Sequence, residues 1–265
     1  MFKYKEGWTD YFMPIDKVFT KAHVPTNYVD AMHGHVLNNY KIGDYKTIIP
    51  EIYQYNSTML KEIKQAQEDF SLVPNQYAAI FIRRGDKLVE ESNYTHASQY
   101  LQKLLNIIQE SLDLKLELVV YVQTDDYNCI CELEEYIKHH SLNVKIITNC
   151  PSHCKGILVF PVQKHNILYN NIIEGNQVYI SENRESLLNS KPVYEMNADE
   201  IYEHTKKMII GIELVRQARF VVTDYQSNVA RFIKLSMNDD KVISVFRDEQ
   251  LQPDYEKAIC PSFSF

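Results

Sequence analysis

Glycine is scarce in this chain, with only seven glycines among 265 residues. None of them belongs to a G-x-G-x-x-G fingerprint, a Walker A loop or a G-x-S-x-G elbow. These motifs need glycine where the backbone turns sharply or approaches a phosphate closely. Nicotinamide dehydrogenases, P-loop enzymes and α/β-hydrolases are therefore poor fits.

Long apolar runs and an excess of basic residues are missing as well. No run approaches the roughly 20 residues of a membrane span, and the first residues, MFKYKEGWTDYF, contain no signal-peptide core. We expect no membrane segment and a cytoplasmic location, unless a leader has been removed. The 28 Lys and Arg against 35 Asp and Glu give a net charge of −7, which argues against a general nucleic-acid binder. A local basic pocket for a small phosphate ligand remains compatible with this charge.

The cysteines do not suggest a disulfide framework, because their number is odd and the chain is long. The five cysteines are Cys129, Cys131, Cys150, Cys154 and Cys260. C-x-C and C-x3-C, with His153 inside the second pair, superficially resemble a metal cluster, but the spacing departs from the usual two-residue knuckles. Ordinary reduced cysteines are the expectation, with a metal site or a local disulfide as the alternatives.

Hydrophobic patterning favours short buried strands that alternate with amphipathic helices. Strands are predicted at 77–82, 116–122, 144–147, 219–223 and 242–246. Helices are predicted at 51–70, 97–112, 128–139, 198–218 and 227–235. The alternation predicts an α/β fold with a Rossmann-like, doubly wound parallel sheet. We expect an irregular and helical region at 1–75, then a sheet domain at 76–265 with an insertion at about 149–200.

Polar segments follow three of the predicted strands, where open α/β sheets bind their ligands. The first is Arg83-Arg84-Gly85-Asp86-Lys87, and an arginine offers a planar fork for phosphate oxygens. The second is Thr124-Asp125-Asp126. The third, at 223–228, ends on Gln226-Ser227-Asn228 at a predicted helix start, which favours anions. Each segment also has a purely structural interpretation, as paired loop charges in the first case and as helix N-caps in the other two.

Taken together, the three segments resemble the glycosyltransferase-B fucosyltransferases of the α1,6 class, including the rhizobial chitin-oligosaccharide enzymes, and more loosely the protein O-fucosyltransferases. The family motif H-V-R-R-T-D-K, followed by a carboxylate and a Tyr, is similar to the segment at 81–87 with Glu91 and Tyr100. The family T-D-D is similar to 124–126, and F-x-V-C-T-x-S-S-Q-V-x-R is similar to 220–231. Three motifs in order are fairly specific, and the similarity covers roughly residues 51–148 and 201–246.

The resemblance implies a donor-binding half of a glycosyltransferase-B fold and an inverting, metal-independent transfer, with no cofactor, from GDP-fucose to a glycan or protein hydroxyl. Arg83 would neutralise the leaving diphosphate, Glu91 would be the general base, and Asp86 would complete the catalytic set. The residues implied in donor binding are Arg83, Arg84, Lys87, Asp125, Asp126, Gln226, Ser227 and Asn228. Ser227 and Asn228 would hold the diphosphate at the helix N-terminus.

Several positions depart from the family pattern. Phe81 replaces the family His and Gly211 replaces the family Asp, two residues that help to recognise guanine, and Asn228 replaces a Gln. The region at 1–75 is also much shorter than the family's N-terminal domain. Two alternatives therefore stay open: a degenerate member that binds a nucleotide sugar, glycan or partner without turnover, and an unrelated Rossmann-like protein whose motifs match by chance.

Overall fold

The computed structural model describes residues 8–13, 49–85, 88, 94–109, 117–156, 191–225, 227–237 and 239–246. Its centre is a sheet of five strands, β1 Ala78–Ile82, β2 Leu118–Thr124, β3 Val144–Thr148, β4 Phe220–Thr223 and β5 Val242–Ser244. The strand order is β3-β2-β1-β4-β5, and all four pairings are parallel. The predicted α/β fold with a parallel, Rossmann-like sheet is confirmed. The order reverses between β1 and β4, where such sheets form a ligand crevice.

Five helices connect and cover these strands: α1 Ser57–Asp69, α2 Ala97–Gln109, α3 Asn128–His139, α4 Ala198–Arg216 and α5 Asn228–Ser236. Four of them lie within two or three residues of their predicted bounds. The expected start at residue 51 is wrong for α1, because the Asn56 side chain accepts a hydrogen bond from the Met59 amide and so caps the helix at Ser57. Asn197 and Glu200 form a reciprocal capping box at the start of α4.

Successive side chains of the strands point to opposite faces of the sheet, and each face has its own hydrophobic core. Ala79, Phe81 and Tyr121 pack with residues of α1, α4 and α5. Ile80 and Ile82, on the other face, pack with residues of α2 and α3. Helices therefore cover both faces, as a doubly wound sheet requires.

The N-terminal residues share the first of these cores. Helix α1 packs against α4, and Phe12 stacks on Tyr55 with ring centroids 5.4 Å apart. Tyr53 contacts Phe232 of α5. The domain boundary at residue 75 stays a prediction, and most of the predicted insertion, at 157–190, lies outside the described residues. Within the described part of the chain, no helix is both long and apolar enough to cross a membrane.

Candidate functional site

A cavity of about 980 Å³ opens at the carboxyl ends of the strands, and we call it the strand-end cavity. Its walls come from the ends of β1, β2 and β3, the start of α5, the N-terminal half of α4 and a few N-terminal aromatic residues. The wall residues used below are Phe81, Arg83, Gln123, Asp125, Cys150, Cys154, Glu200, Glu203, His204, Lys207 and Asn228. This is the position at which a parallel sheet with this strand order binds ligands.

Basic side chains from two elements meet in the strand-end cavity. Arg83 follows β1, whereas His204 and Lys207 lie on α4. Burial lowers the pKa of His204, and the positive charges of Lys207 and Arg83 lower it further. These three side chains are therefore close enough to interact electrostatically. Two cations beside a neutral imidazole favour an anionic ligand in this part of the cavity.

Arg83 and Arg84 are neighbours in sequence but have different environments. Arg83 lines the cavity and is partly exposed. Arg84 is only 1% exposed, and its guanidinium donates two hydrogen bonds to Glu132, of 2.8 and 2.7 Å, and one to Asp126, of 3.2 Å. It also donates to the Thr95 carbonyl oxygen at 3.1 Å. The sequence-based prediction that Arg84 and Asp126 contact the donor is corrected here: both side chains are buried against each other, so they support the site from behind.

Glu132 completes this buried cluster, and the sequence analysis missed it. It accepts hydrogen bonds from the Ala97 amide at 2.7 Å and from the Tyr94 hydroxyl at 2.8 Å, in addition to those from Arg84. Burial by itself would raise the pKa of Glu132, but the Arg84 guanidinium outweighs burial and the pKa is lowered. The cluster thus ties the end of β1 to α3 and to the first turn of α2.

The two aspartates that follow β2 have separate roles. Asp125 lines the cavity and accepts a hydrogen bond of 2.7 Å from the backbone amide of Arg84. Asp126 is fully buried and accepts a hydrogen bond of 3.0 Å from the Asn128 amide at the start of α3. Asp126 therefore binds the first amide of α3 from the position before the N-cap, which is Tyr127 and makes no side-chain capping hydrogen bond, so the expected aspartate N-cap is wrong. Asp125 remains a candidate for ligand contact.

The start of α5 contributes the other end of the predicted anion site. Ser227 occupies the N-cap position, yet its side chain makes no capping hydrogen bond. The Ser227 hydroxyl is buried and has no hydrogen-bond partner among the described residues. Asn228 lines the cavity and accepts a hydrogen bond from Arg231. The Ser227 hydroxyl therefore lies behind the cavity wall, and of these two residues only Asn228 faces the cavity.

Four predicted site residues lie outside the described residues: Asp86, Lys87, Glu91 and Gln226. Their roles stay predictions. The structure brings together Arg83, Asp125 and Asn228, one residue from each of the three motifs, on the walls of one cavity.

A polar side chain near the end of β2 fills the space beside the glycine of α4. Gly211 of α4 faces Gln123, and a Cβ atom at residue 211 would overlap the Gln123 amide. The Tyr121 hydroxyl donates a hydrogen bond of 2.9 Å to Gln123 and helps to fix that amide. Gln123 lines the cavity beside Phe81. A neutral amide therefore fills the space beside Gly211 on the cavity wall.

The sequence analysis missed the polar stripe on α4. Glu200, Glu203, His204 and Lys207 recur at helical spacing on one face and line the cavity. The sequence contained a signal for this polar face, because the apolar residues of the helix are concentrated in its second half and leave its first half polar. Glu200 is held by Lys191 at 2.6 Å and by the capping box, whereas Glu203 pairs with Lys206 at 2.9 Å.

The described cysteines are free thiols. In the described ranges, no group of three or more His, Cys, Asp or Glu side chains has the geometry to hold a metal ion. Cys150 and Cys154 lie on the cavity wall, which the spacing alone did not predict.

Comparison of the sequence with models of known protein families found no match. Comparison with curated proteins found no match either.

Proposed function

We propose that the chain is a fucosyltransferase-like glycosyltransferase. It would take a sugar from a nucleotide diphosphate sugar, GDP-fucose by resemblance, and transfer it to a hydroxyl of a glycan or protein. One observation carries the proposal: Arg83 of the first motif and Asn228 of the third line the same strand-end cavity, next to His204 and Lys207. Convergence of residues that are far apart in the chain is what a shared ligand requires.

The diphosphate would lie between the basic side chains and the start of α5. Arg83 and Lys207 supply positive charge, and the N-terminus of α5 offers backbone amides. Asn228, which lines the cavity at the start of α5, would contact a phosphate oxygen through its side-chain amide. The nucleoside would extend toward Gln123 and the aromatic wall that includes Phe12 and Tyr55.

The proposed reaction is a single displacement at the anomeric carbon. The acceptor oxygen forms a bond to C1, its proton passes to a carboxylate, and the bond from C1 to the diphosphate oxygen breaks. By resemblance, that carboxylate is Glu91. Negative charge grows on the departing diphosphate, so Arg83 would stabilise the transition state more than the bound donor. By resemblance, no metal is required for this step.

Binding without turnover is the second candidate function. Gln123 covers the position of Gly211, and Phe81 replaces the family His, so the guanine contacts of the family are changed. The pocket would then hold a nucleotide sugar, with guanine or another base, as a ligand. This candidate shares the diphosphate site with the first and differs only in chemistry.

Calorimetric titration with GDP, UDP and ADP, without added metal, tests the shared binding site. We expect one nucleotide to bind saturably and Arg83→Ala to weaken it by about 10- to 100-fold, as expected from roughly 1.5–3 kcal/mol for a charged hydrogen bond. Arg219→Ala is the matched control. Arg219 is exposed and directly precedes β4, so it lies at the amino ends of the strands, away from the strand-end cavity. Failure of all three nucleotides to bind would contradict both candidates.

Turnover of the matching nucleotide sugar then separates the two candidates. Release of the nucleotide with a panel of glycan acceptors, abolished in Glu91→Gln while binding is retained, would support the transferase. Glu203→Gln is the comparison variant, because Glu203 is a second carboxylate on the cavity wall. Tight binding with no release above the buffer rate would favour the binding protein.

A further inference from the structure

Cys150 and Cys154 flank a tight turn that follows β3. The Cys154 amide donates a hydrogen bond of 2.9 Å to the Pro151 carbonyl oxygen, which closes the turn. One end is fixed to β3 and the other to the start of α3: the Cys150 amide donates to the Thr148 hydroxyl at 3.0 Å, and the Cys154 carbonyl oxygen accepts from the Tyr127 amide at 2.9 Å. The turn places both thiols on the wall of the strand-end cavity, and the Cys150 thiol donates a weak hydrogen bond of 3.8 Å to the Pro151 carbonyl oxygen.

The environment of the pair separates the two thiols chemically. Cys150 is buried, whereas Cys154 is partly exposed, and both line the strand-end cavity. The interaction with Cys150 lowers the pKa of Cys154, and Lys207 assists, whereas burial, Asp125 and Asp126 oppose the shift. The interaction with Cys154 and burial raise the pKa of Cys150. Cys154 is therefore the accessible thiol of the pair and the one that ionises more readily, and an accessible nucleophile next to a protonated thiol supports thiol–disulfide exchange.

We propose that Cys150 and Cys154 form a reversible dithiol–disulfide pair on the wall of the strand-end cavity, and that it reacts with small disulfides such as glutathione disulfide. The Cys154 thiolate attacks one sulfur of the oxidant, whose S–S bond breaks and releases one thiolate. Cys150 then loses its proton and attacks the Cys154 sulfur, which expels the second thiolate. The protein loses two electrons and two protons, and the disulfide oxidant becomes two thiols.

The other described cysteines lack this arrangement. Cys129 is fully buried, its Sγ accepts a hydrogen bond from the Thr124 hydroxyl, and burial raises the pKa of its thiol. Cys131 is exposed on α3, two residues away from Cys129, so the two side chains point to different sides of the helix. Glutathione disulfide should therefore produce an internal disulfide at Cys150 and Cys154 in preference to a reaction at these two residues.

The test is to treat the native full-length chain with glutathione disulfide, block the remaining thiols with N-ethylmaleimide and map all cysteine peptides by mass spectrometry. We expect the wild type to lose two free thiols and to give one Cys150–Cys154 linked peptide, and dithiothreitol to restore both thiols. Cys131→Ser is the matched control and should leave the yield of that peptide unchanged. Glutathione on Cys131 while Cys150 and Cys154 stay free, or a disulfide that joins Cys260 to either thiol, would overturn the proposal.

Two variants test the order of the steps. In Cys150→Ser, the Cys154 thiolate still attacks but nothing resolves the product, so glutathione should accumulate on Cys154. In Cys154→Ser, Cys150 should remain largely reduced, and equal glutathione uptake by the two variants would contradict the assigned roles. Cys129 reports on folding in the same peptide map, because maleimide reaches this buried thiol only if the chain unfolds. If a variant unfolds, the result for the wild type alone still decides the proposal.

Discussion

Replacement of Arg84 by methionine should destabilise the protein strongly, although this arginine does not face the cavity. The change keeps much of the side-chain volume but removes the cation between Asp126 and Glu132. Asp126 is fully buried, and Glu132 is 13% exposed. Two carboxylates would be left in the interior without the positive charge that stabilises them.

Removal of one partner from a buried ion pair costs about 3–5 kcal/mol, because the remaining charge loses its compensation. For a domain of this size, each kcal/mol lowers the melting temperature by roughly 2–4 °C, so Arg84→Met should lower it by roughly 6–20 °C. Lys64→Met is the matched control. Lys64 and Glu68 are 76% and 60% exposed, and such a pair contributes only about 0.3–0.5 kcal/mol.

Urea and thermal unfolding of both variants provide the measurement. The change in stability is read from the shift of the urea midpoint, provided that the unfolding free energy keeps the same dependence on urea concentration. Adding Asp126→Asn and Glu132→Gln to Arg84→Met should recover part of the loss, because no buried charge then remains. The pKa of Glu132 is lowered on folding. The ionised carboxylate therefore stabilises the folded state above its pKa of 4.5 in the unfolded chain, and this stabilisation is lost as the pH falls through its lower pKa in the folded protein. The difference between wild type and Arg84→Met should therefore narrow in acid. A loss no larger than that of Lys64→Met, or no recovery in the triple variant, would refute the reasoning.

Three further predictions concern the cavity. Binding of pyrophosphate should neutralise Lys207 and raise the lowered pKa of His204, so binding should take up protons and strengthen as the pH falls toward the pKa of His204 in the free protein. Calorimetry in buffers of different ionisation enthalpy measures this proton uptake, and His204→Asn should remove it. Saturating pyrophosphate should also slow alkylation of Cys154 several-fold, because a neutralised Lys207 no longer favours the thiolate; an unchanged alkylation rate would contradict a shared site. Gly211→Ala should displace the Gln123 amide into the cavity at little net cost in thermal unfolding, because the overlapped atoms are the end of a flexible side chain and alanine favours the helix; a clear loss of stability that Gln123→Ala reverses would contradict this expectation.

Local pattern was sufficient to predict the elements of this fold. Helix α3 begins and ends where the spacing of its apolar residues predicts, at Asn128 and His139. The strands were found because a continuous apolar run indicates burial on both faces. Since the carboxyl ends of parallel strands lie at one edge of the sheet, sequence also indicated that Arg83 and Asn228 belong to the same region. The start of α1 was misplaced, because the cap at Asn56 is a local hydrogen bond that periodicity does not report.

Sequence by itself therefore determined the order and type of the elements and the edge of the sheet that carries the polar segments. Only the tertiary structure decided which of two adjacent arginines faces the strand-end cavity, because neighbouring side chains point in different directions and a carboxylate from α3, Glu132, holds Arg84 in the interior. The structure alone also brought α4 over the strand ends, and with it the His204 imidazole and the Lys207 ammonium group. These arrangements depend on contacts between residues that are distant in the chain, and no local spacing encodes such contacts.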